Sequence, residues 1–172
     1  HNRLIFATGC ATDVQVMGSS RYGVFTKSPL TGIYCESYSG GRLADALSRT
    51  GYDAVVLMGN SADPIYMEVS DKGVKFHPAS GLWGKTTYEA ETEVLRSVGV
   101  KGARALVIGP AGENLVRFAV IENDRWRSAG RGGVGAVMGS KGVKALVFHG
   151  EKRRQPSNPD LLAEYWNEMK AK

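Results

Sequence analysis

The sequence predicts an α+β protein with few helices, built around an internally duplicated unit, and three observations lead to this prediction. Eight runs rich in Val, Ile, Phe and Tyr, each bounded by Gly, Pro, Asn or Asp, have the composition and length of β-strands. Only three stretches carry the capping residues and the length of helices. The third observation is that one order of elements occurs twice: apolar strand, second strand, Gly-Gly loop, short helix, apolar strand.

Strands dominate the predicted elements of the chain. They cover residues 3–8, 22–26, 53–58, 64–69, 74–77, 104–108, 116–122 and 143–149. The helices are predicted at residues 42–50, 88–98 and 159–170. Thr86 and Glu89 have the spacing of a capping box before the second helix, and Gly99 ends it. Asn158 caps the third helix, with Pro159 at its first position.

The duplication is visible in two pairs of similar segments. Residues 51–59 resemble residues 142–150, and residues 4–9 resemble residues 105–109. Gly40-Gly41 precedes residues 51–59, and Gly132-Gly133 precedes residues 142–150. We therefore expect a meander and the helix at residues 88–98 to be inserted between two related halves. Chance similarity between strand-rich segments remains the alternative, because the matches are short.

The domain boundaries follow from composition. Residues 3–150 are expected to form one domain with a single core, since 42% of the chain is hydrophobic. Residues 151–172 are expected to be a linker and the start of a helix that leads to a further domain absent here. The chain opens almost directly on an apolar strand, so we also expect the domain to be truncated at its N-terminus.

Several classes of protein are excluded by composition and charge. Glycine is abundant, with 22 residues, but has no collagen period. Neither a bilayer-spanning apolar run nor a secretory pattern is present, so a cytoplasmic protein without membrane contact is expected. The net charge of +5 is scattered apart from residues 152–154, which we interpret as a solvated cluster, so no nucleic-acid partner is expected. Cys10 and Cys35 are interpreted as reduced, buried thiols.

The strongest local motif is a glycine-rich stretch at residues 129–142, with six glycines in fourteen residues. Glycines let backbone N–H groups converge on an anion, so a phosphate or pyrophosphate is the natural ligand. The stretch lacks the Walker A pattern, and its G-x-G-x-x-G does not follow a predicted strand. The alternative is a structural one, in which the glycines allow a helix to pack tightly on a sheet.

A second loop, residues 38–42, would present a similar array of N–H groups from the other half. Two such loops could face a ligand that itself has two similar halves, and Arg21 and Arg127 are placed to add charged donors. His77 and His149 are interpreted as satisfied strand residues, and Glu113 is as suited to capping a turn as to taking part in chemistry. No catalytic constellation is found, so no catalytic residue is expected in this chain.

Five motifs together closely resemble the N-terminal domain of the tungsten-containing aldehyde:ferredoxin oxidoreductase family. They are residues 26–32, 39–41, 51–56, 108–116 and 129–141. The resemblance implies two mixed β-sheets that form a base for a tungstopterin or molybdopterin cofactor, with two pterins for each tungsten or molybdenum. It also implies aldehyde oxidation to a carboxylate with ferredoxin as electron acceptor. C-terminal domains of the same polypeptide would cover the cofactor and ligate a 4Fe-4S cluster, which this chain does not ligate.

The resemblance also assigns residues by motif. The cofactor-binding positions are Arg21, Ser39, Gly40, Gly41, Arg127, Ala129, Gly130, Arg131, Gly132 and Gly133. The main-chain carbonyls of Tyr38 and Ser128 correspond to those that help bind a magnesium ion joining the two pterin phosphates. Well-known members have Asn and Ala at these two positions, which matters little for a carbonyl ligand. Residues 9–13 depart from the family's Gly-Pro-Leu-Thr-Gly, and this leaves the substrate open.

Two alternatives remain open at this point. One is a reductase of the same family that acts on a carboxylate or an aromatic acyl substrate. The other is a non-catalytic pterin- or phosphate-binding module. A homodimer is conceivable, and the chain alone is expected to be inactive. We further expect Gly132→Asp to abolish cofactor retention without unfolding the protein.

Overall fold

Ten strands and five helices occur in residues 2–14 and 16–171, the part of the chain that the computed structural model describes. The strands are β1 Leu4–Thr8, β2 Tyr22–Lys27, β3 Tyr34–Ser39, β4 Ala54–Leu57, β5 Ile65–Ser70, β6 Gly73–Pro78, β7 Arg104–Val107, β8 Ile121–Asn123, β9 Arg127–Ala129 and β10 Val143–His149. The helices are α1 Leu43–Arg49, α2 Thr87–Val98, α3 Pro110–Glu113, α4 Val134–Gly139 and α5 Pro159–Ala171, with a 3-10 turn at Ser80–Leu82.

The strands form two sheets. The first has the order β3-β2-β1-β4, and all of its neighbouring strands are antiparallel. The second has the order β6-β5-β10-β7-β8-β9 and is mixed, because β5 and β10 run parallel. The predicted α+β fold with two sheets and few helices is confirmed, with one sheet antiparallel rather than mixed.

The topology also bears out the duplication. The order β3-β2-β1-β4 repeats as β9-β8-β7-β10, with the same antiparallel partners at each step. Helix α1 connects β3 to β4 in one half, and α4 connects β9 to β10 in the other. Strands β5 and β6 and helix α2 are the inserted elements. The two inserted strands extend the second sheet beyond β10.

The main core lies between the two sheets, where the short helices of both halves are buried. Helix α1 contacts β10 and β7 of the second half, and α4 contacts β2 and β1 of the first. Leu43 and Leu47 of α1 and Val134 and Met138 of α4 are fully buried in this cluster. Each such side chain contributes about 1.5–3 kcal/mol through burial of apolar surface. Because each helix packs on the opposite half, the two halves share one core.

Helix α2 covers the other face of the second sheet. Thr86 and Glu89 form the capping box, with the Glu89 amide donating to Thr86 Oγ1 at 3.3 Å and the Thr86 amide to Glu89 Oε2 at 2.9 Å. Gly99 ends the helix in the left-handed conformation, at φ 67°. Ala90 and Val94 are fully buried against the sheet. The capping signals at both ends are confirmed.

The structure differs from the predicted elements at three strands and at α3, a helix of only four residues that was not predicted. The strand expected at residues 116–122 is limited to β8, because the preceding residues turn away to pack on α4, where the Gly135 amide donates to Ala119 O at 2.9 Å. Strand β3 was missed because its inward-facing residues are the half-buried Cys35 and the buried Ser37 and Ser39, which give no apolar pattern. Strand β9 was missed because it has only three residues.

The C-terminal residues contact the domain through charge. Arg153 lies 3.0 Å from Asp13, and Arg154 lies 2.5 Å from Asp53. Lys152 and Arg153 are exposed and Arg154 is half-buried, so the run is a solvated cluster that also forms surface ion pairs. Both cysteines are free, as expected, but neither is buried: Cys10 is exposed and Cys35 is half-buried. Among the described residues, no helix is long and apolar enough to cross a membrane.

Candidate functional site

The two glycine loops occupy equivalent places in the two halves. Each follows an edge strand, β3 or β9, and these two strands contact each other across the junction of the sheets. Tyr38 and Ser128 are exposed in equivalent positions, and the residues after them, Ser39 and Ala129, are buried. We call this junction the seam: strands β3 and β9 together with the two glycine loops that follow them.

The first loop has its carbonyl groups bonded and its amides free. Gly40 O accepts from Asn123 Nδ2 at 3.0 Å, and Gly41 O accepts from Ser20 Oγ at 2.5 Å. The N–H groups of Gly40 and Gly41 have no hydrogen-bond partner among residues 2–14 and 16–171. A Cβ atom at Gly40 would meet nothing closer than Ser20 O at 3.9 Å. The loop therefore presents unpaired donors, with open space beside Gly40, which suits an anion.

An open cleft of about 1580 Å³ lies beside this loop and extends to α5. Its charged lining residues are Arg21, Arg42, Arg49, Arg127, Arg153, Arg154, Lys170, Asp13 and Asp45. Asp13 lies 2.7 Å from Arg49 and also pairs with Arg153, so a single carboxylate is shared by two of these cations. Within the part of the chain that the structure describes, the guanidinium groups of three others have no ion pair or hydrogen bond: Arg21, Arg42 and Arg127. The cleft is therefore electropositive and attracts anions.

The second loop serves two purposes. The Arg131 amide donates to Ser37 Oγ at 3.0 Å, which leaves the amides of Gly130 and Gly132 unpaired among the described residues. Gly130 is open, since a Cβ there would lie 3.7 Å from Val120 Cγ1. Later glycines of the motif allow close packing, because a Cβ on them would overlap backbone oxygens; they are Gly133, Gly135 and Gly139. The packing interpretation of the motif is therefore confirmed for these three glycines, whereas anion binding by the earlier part of the loop stays a prediction.

Gly132 corrects one sequence expectation. It has φ 71°, and a Cβ there would overlap Cys35 Sγ. Gly132→Asp would therefore strain the fold, contrary to the expectation that this change leaves folding intact.

Burial and hydrogen bonding suppress ionisation at the seam. Burial raises the pKa of Tyr22. The Tyr38 hydroxyl donates a hydrogen bond to Glu36, and this raises the pKa of Tyr38. Burial also raises the pKa of the Cys35 thiol. These three groups are neutral near pH 7 and add no charge to the seam.

The structure brings some of the predicted site residues together at the cleft and leaves others aside. Arg21, Gly40, Gly41 and Arg127 line it. Ser39 and Ala129 are buried beneath the loops, while Tyr38, Ser128 and Arg131 are exposed beside the cleft lining rather than in it. The two histidines bind Glu68 and are satisfied, as expected.

Three residues that contribute to the site were missed. Arg42 directly follows Gly41, and its position in the glycine loop could have revealed it. Asn123 and Asp124 contact the first loop from a distant part of the chain. That contact depends on how the two halves pack together, and a single sequence does not show this packing. Glu113, for which capping a turn was one of two expectations, accepts the Gly84 amide at 2.8 Å and forms a buried ion pair with Lys144.

These features define a duplicated two-sheet domain with unpaired backbone amides and unpaired arginines, among the described residues, near the junction of its halves. The chain belongs to the family described as "Aldehyde ferredoxin oxidoreductase, N-terminal domain", which it matches over residues 1–150. It is 47% identical over 163 residues to a tungsten-containing aldehyde ferredoxin oxidoreductase of Pyrococcus abyssi, covering 95% of this chain and 27% of that protein.

Two other relatives widen the range of chemistry. An aliphatic sulfonate oxidoreductase, WOR-like subunit, of Pyrococcus furiosus is 31% identical over 98% of this chain and 29% of its own length. Among solved structures, the active site complex BamBC of benzoyl coenzyme A reductase with 1,5-dienoyl-CoA matches with a TM-score of 0.92 and 37% identity. That match covers 96% of this chain and 25% of the other. The chain thus spans about a quarter of the length of its relatives.

Proposed function

We propose that this chain is the cofactor base of a tungsten or molybdenum bis-pterin oxidoreductase that oxidises aldehydes to carboxylates and passes electrons to ferredoxin. The observation that carries the proposal is the pair of equivalent glycine loops, each with unpaired amides, that follow two contacting edge strands. Relatives named tungsten-containing aldehyde ferredoxin oxidoreductases support the assignment of the metal and the substrate class.

The residues present fit such a cofactor. A bis-pterin group carries two phosphates, and the protein offers two loops in which Gly40 and Gly130 leave room for a ligand at the Cβ position. Arg21, Arg42 and Arg127 supply positive charge that no described acidic side chain neutralises. Charge-assisted hydrogen bonds from arginine and from loop amides are the standard means of holding phosphate.

We assign the roles of the chain as follows. The loops at residues 39–41 and 129–133 hold the phosphates through their amides, and Arg21 and Arg127 neutralise charge beside them. The carbonyls of Tyr38 and Ser128 bind a magnesium ion between the phosphates. Their placement on two contacting edge strands supports this role, because an edge strand has backbone groups outside the sheet ladder. When bound, the metal supplies the two-electron chemistry that converts an aldehyde and water into a carboxylate.

The remaining parts of the enzyme are assigned to further domains of the same polypeptide. Those domains would hold a 4Fe-4S cluster, the substrate pocket and the ferredoxin contact, and the present chain alone would be inactive. The full protein would act in the cytoplasm. The share of the relatives' length that this chain covers, about a quarter, supports this division.

A second candidate is a reductase that acts on an aromatic acyl substrate with the same cofactor base. The benzoyl coenzyme A reductase complex favours it, since that structure shares the fold at a TM-score of 0.92. The two candidates differ in the chemistry of the substrate and not in the role of this domain.

The test is a measurement of W, Mo, Mg, Fe, P and pterin in the purified full-length protein, followed by assays with aldehydes plus ferredoxin and with benzoyl-CoA plus a strong reductant. We expect one tungsten or molybdenum and two pterins per chain, with aldehyde-dependent ferredoxin reduction. Activity only with benzoyl-CoA would establish the second candidate. A protein without metal and pterin after expression in a tungstate- and molybdate-supplied host would overturn both and favour a non-catalytic phosphate-binding module.

A further inference from the structure

The first glycine loop is held in place by residues of the other half of the molecule. Asn123, at the end of β8, is completely buried and lies against the loop from the second half. Its Oδ1 accepts from Tyr22 Oη at 2.8 Å and from Ser39 Oγ at 2.9 Å. Its Nδ2 donates to Gly40 O at 3.0 Å and to Asp124 Oδ2 at 3.0 Å. All four hydrogen-bonding positions of this amide are therefore used, which fixes its orientation.

Asp124 continues the same contact. Its Oδ2 accepts from the Arg42 amide at 2.7 Å, on the other side of Gly41. Gly41 has φ 95°, and a Cβ there would overlap the Asp124 carboxylate, so the loop and the hairpin fit together only with glycine at this position. The carbonyl of Gly40 and the amide of Arg42 are thus both turned toward the second half, and the loop amides between them stay free for a ligand.

The inserted helix α2 supports this hairpin from behind. Glu91 Oε2 accepts from the Arg125 amide at 2.9 Å, and the Arg125 guanidinium lies 4.0 Å from the centre of the Tyr88 ring. Asp124 and Arg125 both have positive φ, 45° and 68°, a conformation that non-glycine residues keep only when their surroundings enforce it. Helix α2 therefore stabilises the β8–β9 turn, and this turn contacts the first glycine loop.

The second glycine loop shows the reciprocal arrangement. The Arg131 amide donates to Ser37 Oγ on β3 of the first half at 3.0 Å. Cys35 Sγ, also on β3, lies 3.8 Å from Arg131 O. A Cβ at Gly133 would come within 3.0 Å of Pro29 Cγ, in the turn between β2 and β3. In both cases, the contact that orients a loop comes from the hairpin of the opposite half.

We propose that Asn123 and Asp124 are positioning residues that hold the Gly40-Gly41 amides toward the cleft, and that each half of the duplicated fold orients the ligand-binding loop of the other. The proposal concerns loop geometry, and its consequence for cofactor binding rests on the function proposed above. It assigns to the β8–β9 turn a role that the glycine motifs do not reveal.

The test uses Asn123→Asp in the full-length holoprotein. This change keeps an oxygen for Tyr22 and Ser39 but places a second oxygen against Gly40 O and Asp124. Glu68→Gln is the matched control, because it weakens a part-buried polar cluster of the second sheet that contacts neither loop. Three quantities are measured for each variant: hydrogen exchange by segment, the thermal unfolding midpoint, and the rate of pterin loss during dialysis.

We expect exchange in residues 40–46 to rise roughly five- to tenfold in Asn123→Asp, which corresponds to the loss of one hydrogen bond. Exchange elsewhere in the sheets should be unchanged, and pterin should be lost at least fivefold faster. Glu68→Gln should leave both loop exchange and pterin loss at the wild-type values. If Asn123→Asp does not fold, Asp124→Ala makes the same test through the Arg42 amide.

The outcomes separate the two proposals. Unchanged exchange at residues 40–46, or an equal rise throughout both sheets, would overturn the positioning role. A local rise with an unaltered rate of pterin loss would support the positioning role and contradict phosphate binding by this loop. Wild-type protein that contains no pterin would contradict the proposed function, while the exchange comparison would still decide the positioning role.

Discussion

The same substitution at two glycines of one loop is expected to have different effects. Gly130→Asp places a Cβ no closer than 3.7 Å to any neighbour, so the folded protein accommodates it. Gly132→Asp places a side chain at φ 71° with its Cβ overlapping Cys35 Sγ. The left-handed backbone costs about 1 kcal/mol for a non-glycine residue, and overpacking against Cys35 costs about 1–3 kcal/mol.

These magnitudes predict separable results. Gly132→Asp should lower the free energy of unfolding by about 2–4 kcal/mol, a fall in the melting temperature of roughly 5–15 °C for a chain of this size. Gly130→Asp should leave the melting temperature of the cofactor-free protein within about 2 °C. Its carboxylate would instead oppose a bound phosphate: like charges about 5 Å apart at an effective dielectric of about 20 repel by about 3 kcal/mol. This weakens binding roughly 100-fold.

The assay combines thermal unfolding with pterin content per chain in the full-length protein. Gly130→Asn is the control for side-chain bulk without charge and should retain most of the pterin. Cys35→Ala in the Gly132→Asp background should recover part of the lost stability, because it removes the overlapping sulfur. Wild-type pterin content in Gly130→Asp would refute phosphate binding at this loop. A wild-type melting temperature in Gly132→Asp would refute the packing argument.

Three further predictions concern stability. Lys144→Met should destabilise the protein by about 3–5 kcal/mol because it leaves Glu113 buried without its partner; denaturant unfolding measures this, and adding Glu113→Leu should recover most of the loss. Thr86→Ala should lower the free energy of unfolding by about 1 kcal/mol through loss of the capping box. Denaturant unfolding measures this, and a decrease below about 0.2 kcal/mol would contradict the prediction. Although burial alone would raise the pKa of Glu68, hydrogen bonds from two histidines hold it below its ordinary value. Its stabilisation is therefore complete above the ordinary carboxyl range and is lost as pH falls through the lowered pKa; unfolding curves from pH 7 to pH 3 should show a smaller loss in Glu68→Gln, and equal slopes would contradict this assignment.

Local signals in the sequence were sufficient to predict the elements whose ends are fixed by residues close in sequence. Thr86, Glu89 and Gly99 bound α2 because capping involves only residues within one or two turns. The duplication was also visible, since it repeats an order of elements along the chain. Cofactor-binding roles for Arg21, Gly40, Gly41 and Arg127 stay predictions that their common cleft supports.

The sequence could not separate the two uses of glycine within one motif. Gly130 and Gly132 are two residues apart and look equivalent as letters, but only the fold places Cys35 beside one of them and open space beside the other. The β3 strand was hidden for a related reason: its inward side chains are small and polar because they face a loop of the other half, as Ser37 faces Arg131. Both failures occur where the two halves meet.

The concentration of these failures at the seam has a physical cause. A glycine loop with free amides is unstable by itself, because its carbonyls need partners and its backbone has many alternative conformations. In this fold, the opposite half supplies a contact to each loop: Asn123 Nδ2 donates to Gly40 O in one, and Ser37 Oγ accepts from the Arg131 amide in the other. The same two-fold arrangement that completes the core thus fixes two loops in related orientations. A ligand with two similar phosphate-bearing halves matches that symmetry, whereas a ligand with a single phosphate would use only one loop.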